Sequence, residues 1–481
     1  MIILLAENQD RVVSKAELVE HVWKNRAISD STISSAVSYA RKALSRAGSK
    51  KTFIRTVHGR GFRFVEPVTW KTEVDQADEA PAKVSLPSIA VLPFHDVSND
   101  PDLQGLADGI TLDVTALIAR IRWLRVVPGR SAFQFRNSSF AVREIGEKLD
   151  ARYLVEGSFR QVGDRLRITA ALVDVAEERQ LFVEQFSPSL EELADVQDVI
   201  ANRIAAMVEA DLALAEANRG RTRGTSNLDV WELFHGSHSG LHSFDPELLD
   251  RARQRLGQLL HLEPDFPGAH ARLACVEVER FWFLPRPERQ QILAQAEELA
   301  NEAIRRDDRD AFGYLALGSA HAFSGRHHDA VAAFEDAILH HPCHAQPRFA
   351  MGKTLFFMNE LDRGIEQIDR ARRWSPNAPY LSSALSFRGI ALVMLGAKDE
   401  AVHSTKLATR DPRATRWAYG MHAAVLALAG QPREIGACLA KLAMLDPNYS
   451  VTTAAEEFSF LADCSFVDAY LEGLTRAGLP Q

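Results

Sequence analysis

From about residue 227 this 481-residue chain repeats itself, and the period restricts its fold more than any other feature of the sequence. Tyr314-Leu-Ala-Leu317-Gly318 is followed by Gly325, Ala330, Phe334, Ala337 and Pro342. Thirty-four residues later Arg348, Met351-Gly352, Asn359, Gly364, Ile368, Ala371 and Pro376 stand in register. Each copy reads as two helices, with small and large residues alternating where they face each other and a proline closing the second. A pair of this size cannot bury its apolar faces alone, so the copies must stack into a superhelix.

Weaker copies flank this pair. Ala252, Leu256 and Pro264 fit a first unit; Leu273-Ala274, Ala296, Ala300 and Ala303 fit a second, interrupted by Phe281-Trp-Phe-Leu-Pro-Arg-Pro287. Gly389, Gly396, Ala401, Ala408 and Pro412 give a fifth, and Gly430, Ile435, Leu439, Leu442 and Pro447 a sixth. The period is the tetratricopeptide (TPR) signature. Residues 227–450 therefore resemble a TPR array of about six helix pairs, and 451–481 are expected to supply a capping helix over 451–477. That resemblance implies a protein or peptide partner in the groove of the array. The aromatics Phe281-Trp282-Phe283, Phe349, Phe356, Phe357 and Trp374 read first as core, and some could line that groove.

The other end of the chain has a different chemistry. Ser14 and Glu17 are spaced as a capping box that opens a helix to about Asn25, burying Leu18, Val19, Val22 and Trp23. A second helix is expected from Asp30 or Ser31 to about Ala47, with Ile33, Val37, Ala40 and Leu44 as its apolar stripe. Phe53 to Val65 then alternates around His58-Gly59-Arg60-Gly61 as a β-hairpin, carrying Arg55, Arg60 and Arg63. Residues 1–66 hold 12 Lys+Arg against 6 Asp+Glu, a net of +6; the whole chain is −8, so the remainder carries −14. Only this end presents a potential that suits a polyanion.

The segments Arg11 to Trp23, Ser29-Asp-Ser-Thr-Ile33, Arg41-Lys-Ala-Leu44 and Ile54 to Phe64 resemble, in order and spacing, the winged-helix effector domain of OmpR/PhoB type, especially its CadC- and ToxR-like branch. The resemblance implies that residues 30–46 are the recognition helix and 53–65 the wing, with double-stranded DNA as partner and a dimer on tandem repeats. Sequence readout falls to Thr32, Ser35 and Ser38 with Arg60 of the hairpin in the groove, phosphate contacts to Arg41, Lys42, Arg46 and Arg63, and Tyr39 and Arg55 stand among the DNA-facing residues. The family's domain opens with a small sheet and a full first helix, whereas Met1-Ile-Ile-Leu-Leu-Ala-Glu-Asn looks like the second half of that helix. A misplaced start is the expectation, with Ile2, Leu5 and Trp23 partly exposed where the sheet would lie.

Residues 67–87 read as a polar, proline-containing linker, and no run approaches the length of a membrane span. Four scattered cysteines, Cys275, Cys343, Cys438 and Cys464, read as reduced thiols. Together these point to a cytoplasmic protein that does not engage a membrane.

Residues 88–217 read as a mixed α/β domain. A strand at Ser88–Phe94 and a helix over 104–121 precede a strand at 124–127 and a helix over 142–149. Strands 153–162 and 165–175 meet at Gly163-Asp164, a further strand spans 181–186, and a long helix closes the domain over 190–217. Ile89-Ala-Val-Leu-Pro-Phe94, Gly105 to Ile110, Tyr153 to Ser158 and Gly163 to Ile168 resemble the TolB amino-terminal-like domain. That implies a ligand-sensing or interaction role, with a small-molecule effector as one partner it allows, and brings no catalytic residue.

Other motifs lose to simpler readings. Asp96 and Asp102 belong to a turn, while Asp108 and Asp113 share only sequence proximity with them. His327-His328 and His340-His341-x-Cys343-His344 lie at opposite ends of one helix, roughly 20 Å apart, too far for one metal site. Gly236-Ser-His-Ser-Gly240 has His238 where a hydrolase would carry its nucleophile. The fold expected is therefore multidomain: a winged helix over 1–66, an α/β domain over 88–217 and an all-α TPR superhelix. The function expected is transcriptional regulation, with no enzyme activity, cofactor or metal. The rival is a TPR scaffold whose shortened winged helix no longer binds DNA.

Overall fold

The computed structural model describes residues 2–23, 30–45, 53–65, 86–98, 101–136, 138–189, 193–222, 230–237, 245–266, 268–376, 378–461 and 464–481. The chain forms two compact units, Met1–Lys83 and Val84–Gln481.

The first unit holds α1 (Ile2–Glu7), α2 (Lys15–Trp23), α3 (Asp30–Ser45), β1 (Ile54–Val57) and β2 (Gly61–Phe64). Its core is Leu5, Val13, Leu18, Ile33, Val37, Ala40, Ile54, Phe62 and Phe64. The expectation that Leu5 is partly exposed is wrong: it is wholly buried, because α1 lies against β2. Ile2 is half-buried, and the side chain of Trp23 lies outside the described residues.

The second unit begins with β3 (Ser88–Val91), β4 (His95–Asp96), α4 (Pro101–Ile118), β5 (Arg125–Val126), α5 (Gly129–Phe133), α6 (Val142–Leu149), β6 (Tyr153–Val162), β7 (Arg165–Asp174), β8 (Arg179–Phe186) and α7 (Leu193–Thr222). The sheet runs β5-β3-β6-β7-β8, with β4 continuing the parallel edge of β6 beyond β3. Strands β3, β5 and β6 are parallel, and β6, β7 and β8 antiparallel. Alternation puts Ile89, Val91, Tyr153 and Val155 against Ile110, Val114 and Ile118 of α4 and Ile200 and Ile204 of α7. Ala90, Leu92 and Leu154 face Ile145 and Leu149 of α6 on the other side. Both faces are thereby covered, as a parallel edge requires. The first strand stops at Val91 rather than Phe94, and Phe94 N–H donates instead to Thr111 Oγ1 on α4.

Six helix pairs follow among the described residues: α8 (Val230–Gly236) with α9 (Pro246–Leu262), α10 (Ala269–Arg280) with α11 (Arg286–Arg306), α12 (Ala311–Phe323) with α13 (His327–His340), α14 (Ala345–Phe357) with α15 (Leu361–Trp374), α16 (Leu381–Met394) with α17 (Lys398–Arg410), and α18 (Arg416–Ala429) with α19 (Ile435–Leu445). The glycines that mark the repeat are spacers. A Cβ on Gly318 would stand 2.6 Å from the Phe334 ring, and one on Gly352 would stand 2.9 Å from the Gly364 carbonyl, so only glycine lets the two helices of a pair close.

The middle region and the array share one core, running from Ile89 to Leu355. The boundary expected at residue 217 is not a break in packing: α7 continues to Thr222 and lies against α8 and α15. Arg122 Nε pairs with Asp307 at 2.6 Å, and Arg120 Nη1 donates to the Leu339 carbonyl at 2.8 Å.

The single capping helix expected over 451–477 is two helices, α20 (Val451–Glu457) and α21 (Ser465–Ala477). The chain turns back between them, and α21 lies along α18, α16 and α14, the first helices of three pairs.

Candidate nucleic-acid interface

The hairpin owes its shape to two glycines and one distant residue. Arg60 N–H donates to the Val57 carbonyl at 3.0 Å, and Gly59, with φ +72°, carries the turn. Gly61 has φ +139°, and a Cβ there would stand 2.8 Å from Ser14 Cα, because the chain before α2 pairs with the hairpin. Val13 N–H donates to the Phe62 carbonyl and Phe62 N–H to the Val13 carbonyl, both at 2.9 Å. Sequence reasoning missed this one-residue bridge. Its only signal is the β-branched pair Val12-Val13 between two turns, too short to show a period.

The start of α2 follows the sequence closely. Ser14 N–H donates to Glu17 Oε2 at 2.8 Å, and Glu17 N–H donates to Ser14 Oγ at 3.2 Å. Arg11 Nη1 closes on Glu17 Oε1 at 2.7 Å. The Ser14 backbone N–H, the Arg11 guanidinium and the Ser14 hydroxyl hold the Glu17 carboxyl down from the ordinary 4.5 to about 2. A depressed carboxylate stabilises the folded state above its unfolded value and stops doing so as pH falls through its folded value. The gap in melting temperature between the chain and a Glu17→Gln variant, followed for the first unit by circular dichroism, is therefore expected to be constant above pH 5 and to close toward about pH 2.

Helix α3, the expected recognition helix, buries Ile33, Val37 and Ala40 and exposes Thr32, Ser34, Ser35 and Ser38. Thr32, Ser35 and Ser38 thus share the solvent side. The side chains of Tyr39 and Lys42, and all of Arg46, lie outside the described residues. Arg41 does something the sequence did not show. Its Nε donates to the Ile54 carbonyl at 2.9 Å and its Nη2 to Thr56 Oγ1 at 2.8 Å, which ties α3 to β1.

The hairpin face is more pointed. Arg55 stands directly across from Arg63 in the register, and both are exposed. Like charges directly opposite on a two-stranded face destabilise it, and an anion lying across them would offset that cost. Arg60 is exposed at the tip. Arg63 is steadied by Nε donating to the Gln9 carbonyl at 3.3 Å.

Among the described residues the remaining sequence candidates do not assemble a site. Asp96 Oδ1 accepts from Ser98 N–H, Asp108 pairs with Arg136 at 2.6 Å, and Asp113 accepts from Gln197 at 2.6 Å. The Asp102 side chain lies outside the described residues, as do residues 238–244. Among the described residues no three His, Cys, Asp or Glu side chains are grouped to hold a metal ion. His341 is buried 3.6 Å from Glu209 of α7, and burial pushes it down to about 4. All four cysteines are unpaired and buried. No described helix is long and apolar enough to cross a membrane.

Residues 1–64 match the family described as "Transcriptional regulatory protein, C terminal", and residues 85–203 match "HilA/YgeH-like transcriptional regulator, second domain". The chain is 31% identical over 247 residues to "Putative adenylate cyclase 3" of Rhizobium meliloti, covering 51% of this chain and 42% of that protein. It is 21% identical over 386 residues to "Transcriptional regulator HilA" of Salmonella typhi, covering 78% of this chain and 65% of that one. Over 74 residues it is 28% identical to "Transcriptional activator CadC" of Escherichia coli, 15% of this chain and 14% of that protein. The chain thus spans between a seventh and two thirds of the length of these relatives. Its first unit is an OmpR/PhoB-type winged helix, followed by a HilA-like α/β domain and a TPR-like helical region.

Proposed function

We propose that this chain is a cytoplasmic transcriptional regulator that binds double-stranded DNA through its first unit, as a dimer on tandem sites. In this reading α3 lies in the major groove with Thr32, Ser35 and Ser38 toward base edges, while the hairpin holds the adjacent backbone or minor groove through Arg55, Arg60 and Arg63. The observation that carries it is the opposed, exposed Arg55–Arg63 pair on a unit of net positive charge. The second unit senses rather than catalyses, receiving a protein partner on the array and a small-molecule effector on the α/β region. The cyclase named among its relatives matches over 42% of its own length, and its activity is not carried to this chain.

The test is a gel-shift titration of the full chain against its own upstream DNA over a salt series. Arg55→Ala with Arg63→Ala is expected to weaken binding about 10- to 100-fold near 0.1 M salt. The same variant should flatten the log–log salt slope by about 0.9 for each phosphate that it leaves without a cation. A salt-independent shift, or a variant indistinguishable from the parent, would sink the reading and leave the scaffold.

A further inference from the structure

The first helices α10, α12, α14, α16 and α18 pack side by side as one layer of the array. That layer is concave. Trp282, just after α10, and Trp417 at the start of α18 stand 5.2 Å apart by ring centroid, although three first helices lie between them in the stack.

The concave face is filled by the chain's own end. Phe460 packs against Phe281, Phe323 and Phe357 at 5.3, 5.5 and 6.2 Å. Phe466 of α21 stacks on Phe356 and Phe387 at 5.7 and 5.4 Å, with rings 2° and 9° from parallel. Further along, the fit is one of size. A Cβ on Gly473 would stand 2.6 Å from Ala424 Cβ and 2.9 Å from the α18 backbone, and a Cβ on Gly420 would meet the Tyr470 hydroxyl at 2.8 Å. Phe466, Val467, Tyr470, Gly473 and Leu474 are buried, while Asp468, Glu472 and Arg476 face solvent. This is an amphipathic helix laid in a groove, with anchors at i, i+1, i+4 and i+8.

We infer that the concave face is a groove for amphipathic helices, that α21 is its reversible occupant in cis, and that a partner protein enters by presenting a helix of the pattern Phe-Val-x-x-Tyr-x-x-Gly-Leu in its place. The inference rests on the reading of the array as a partner-binding module, and names the partner's chemistry and its competitor. A tethered segment competes at an effective concentration on the order of a millimolar, so a free helix of equal fit binds the resting chain weakly. Release of α21 is therefore the step that opens the array.

The experiment uses the full chain and a labelled synthetic peptide of residues 464–481, followed by fluorescence anisotropy without DNA. Gly473→Leu, which drives α21 off the α18 backbone and leaves the groove unchanged, is expected to bind the peptide at least tenfold more tightly than the parent. Adding Gly420→Leu, which blocks the acceptor side, should abolish that gain. Phe466→Glu is the second releasing variant, should Gly473→Leu fail to fold. Equal peptide affinity in parent and releasing variants overturns the inference. So does release of α21, scored by protease cleavage, with no peptide bound. Because DNA is absent, none of these outcomes depends on whether the first unit binds an operator.

Discussion

A full-length chain carrying Gly61→Val is expected to lose its DNA shift while the thermal transition of the larger unit stays where it was. At φ +139° a β-branched residue pays roughly 1–3 kcal/mol in backbone strain. Its Cβ would also stand 2.8 Å from Ser14 Cα and from the Val13 carbonyl carbon, so the Val13–Phe62 pairing must open. Two hydrogen bonds go with it, about 1 kcal/mol each. The total, about 3–5 kcal/mol, comes up to the lower end of the roughly 5–15 kcal/mol that holds an ordinary domain folded. Hydrogen exchange resolves the outcome by unit: residues 54–64 should exchange freely, and the β6–β7 ladder should stay protected. Parent-like protection of 54–64 would show that the hairpin does not depend on this glycine.

What the sequence disclosed here was whatever rests on neighbours a few residues apart. The Ser14–Glu17 capping box, the 153–162 and 165–174 hairpin, and the glycine spacing of the repeats are all local, and all stand where the residues put them. Pairings between distant segments leave no such trace. The Val13–Phe62 bridge is one residue long, β4 and β5 have two residues each, and none can display alternation. Arg41 reads as a phosphate-binding arginine on the open face of α3, because nothing near it in sequence says that the Ile54 carbonyl and the Thr56 hydroxyl will be within reach. The direction of α21 was equally hidden. An apolar stripe looks the same whether a helix caps the end of a stack or turns back along its inner face, and only Gly473, too small for a capping stripe, hinted at close approach.

Glu457→Gln is expected to loosen α20 and α21 together, at a cost of about 3 kcal/mol to that end of the array. The carboxylate is buried and saturated: Arg416 Nε donates to Oε1 at 3.1 Å with Nη2 beside it, and Trp417 Nε1 and the Tyr449 hydroxyl donate to Oε2 at 2.7 and 2.9 Å. Tyr449 passes the network on to the hydroxyl of Tyr470 at 3.3 Å, on α21. An amide cannot satisfy this set. It removes the counter-charge of Arg416 and turns an NH₂ toward either the Arg416 guanidinium or Trp417 Nε1, which can only donate, whereas the carboxylate accepted from both and from the Tyr449 hydroxyl. Tyr449→Phe removes one neutral donor and should cost about 1 kcal/mol. Hydrogen exchange over 449–461 and 464–477, with the melting transition of the second unit, separates the two variants. The larger loss for Glu457→Gln is also expected to raise the affinity of the chain for the 464–481 peptide, because the residue pins the segment without touching the groove that α21 fills at Phe356 and Phe387. A Glu457→Gln chain with parent-like exchange over 464–477 would mean that aromatic packing alone seats the helix, and that the buried network serves only α18 and α20.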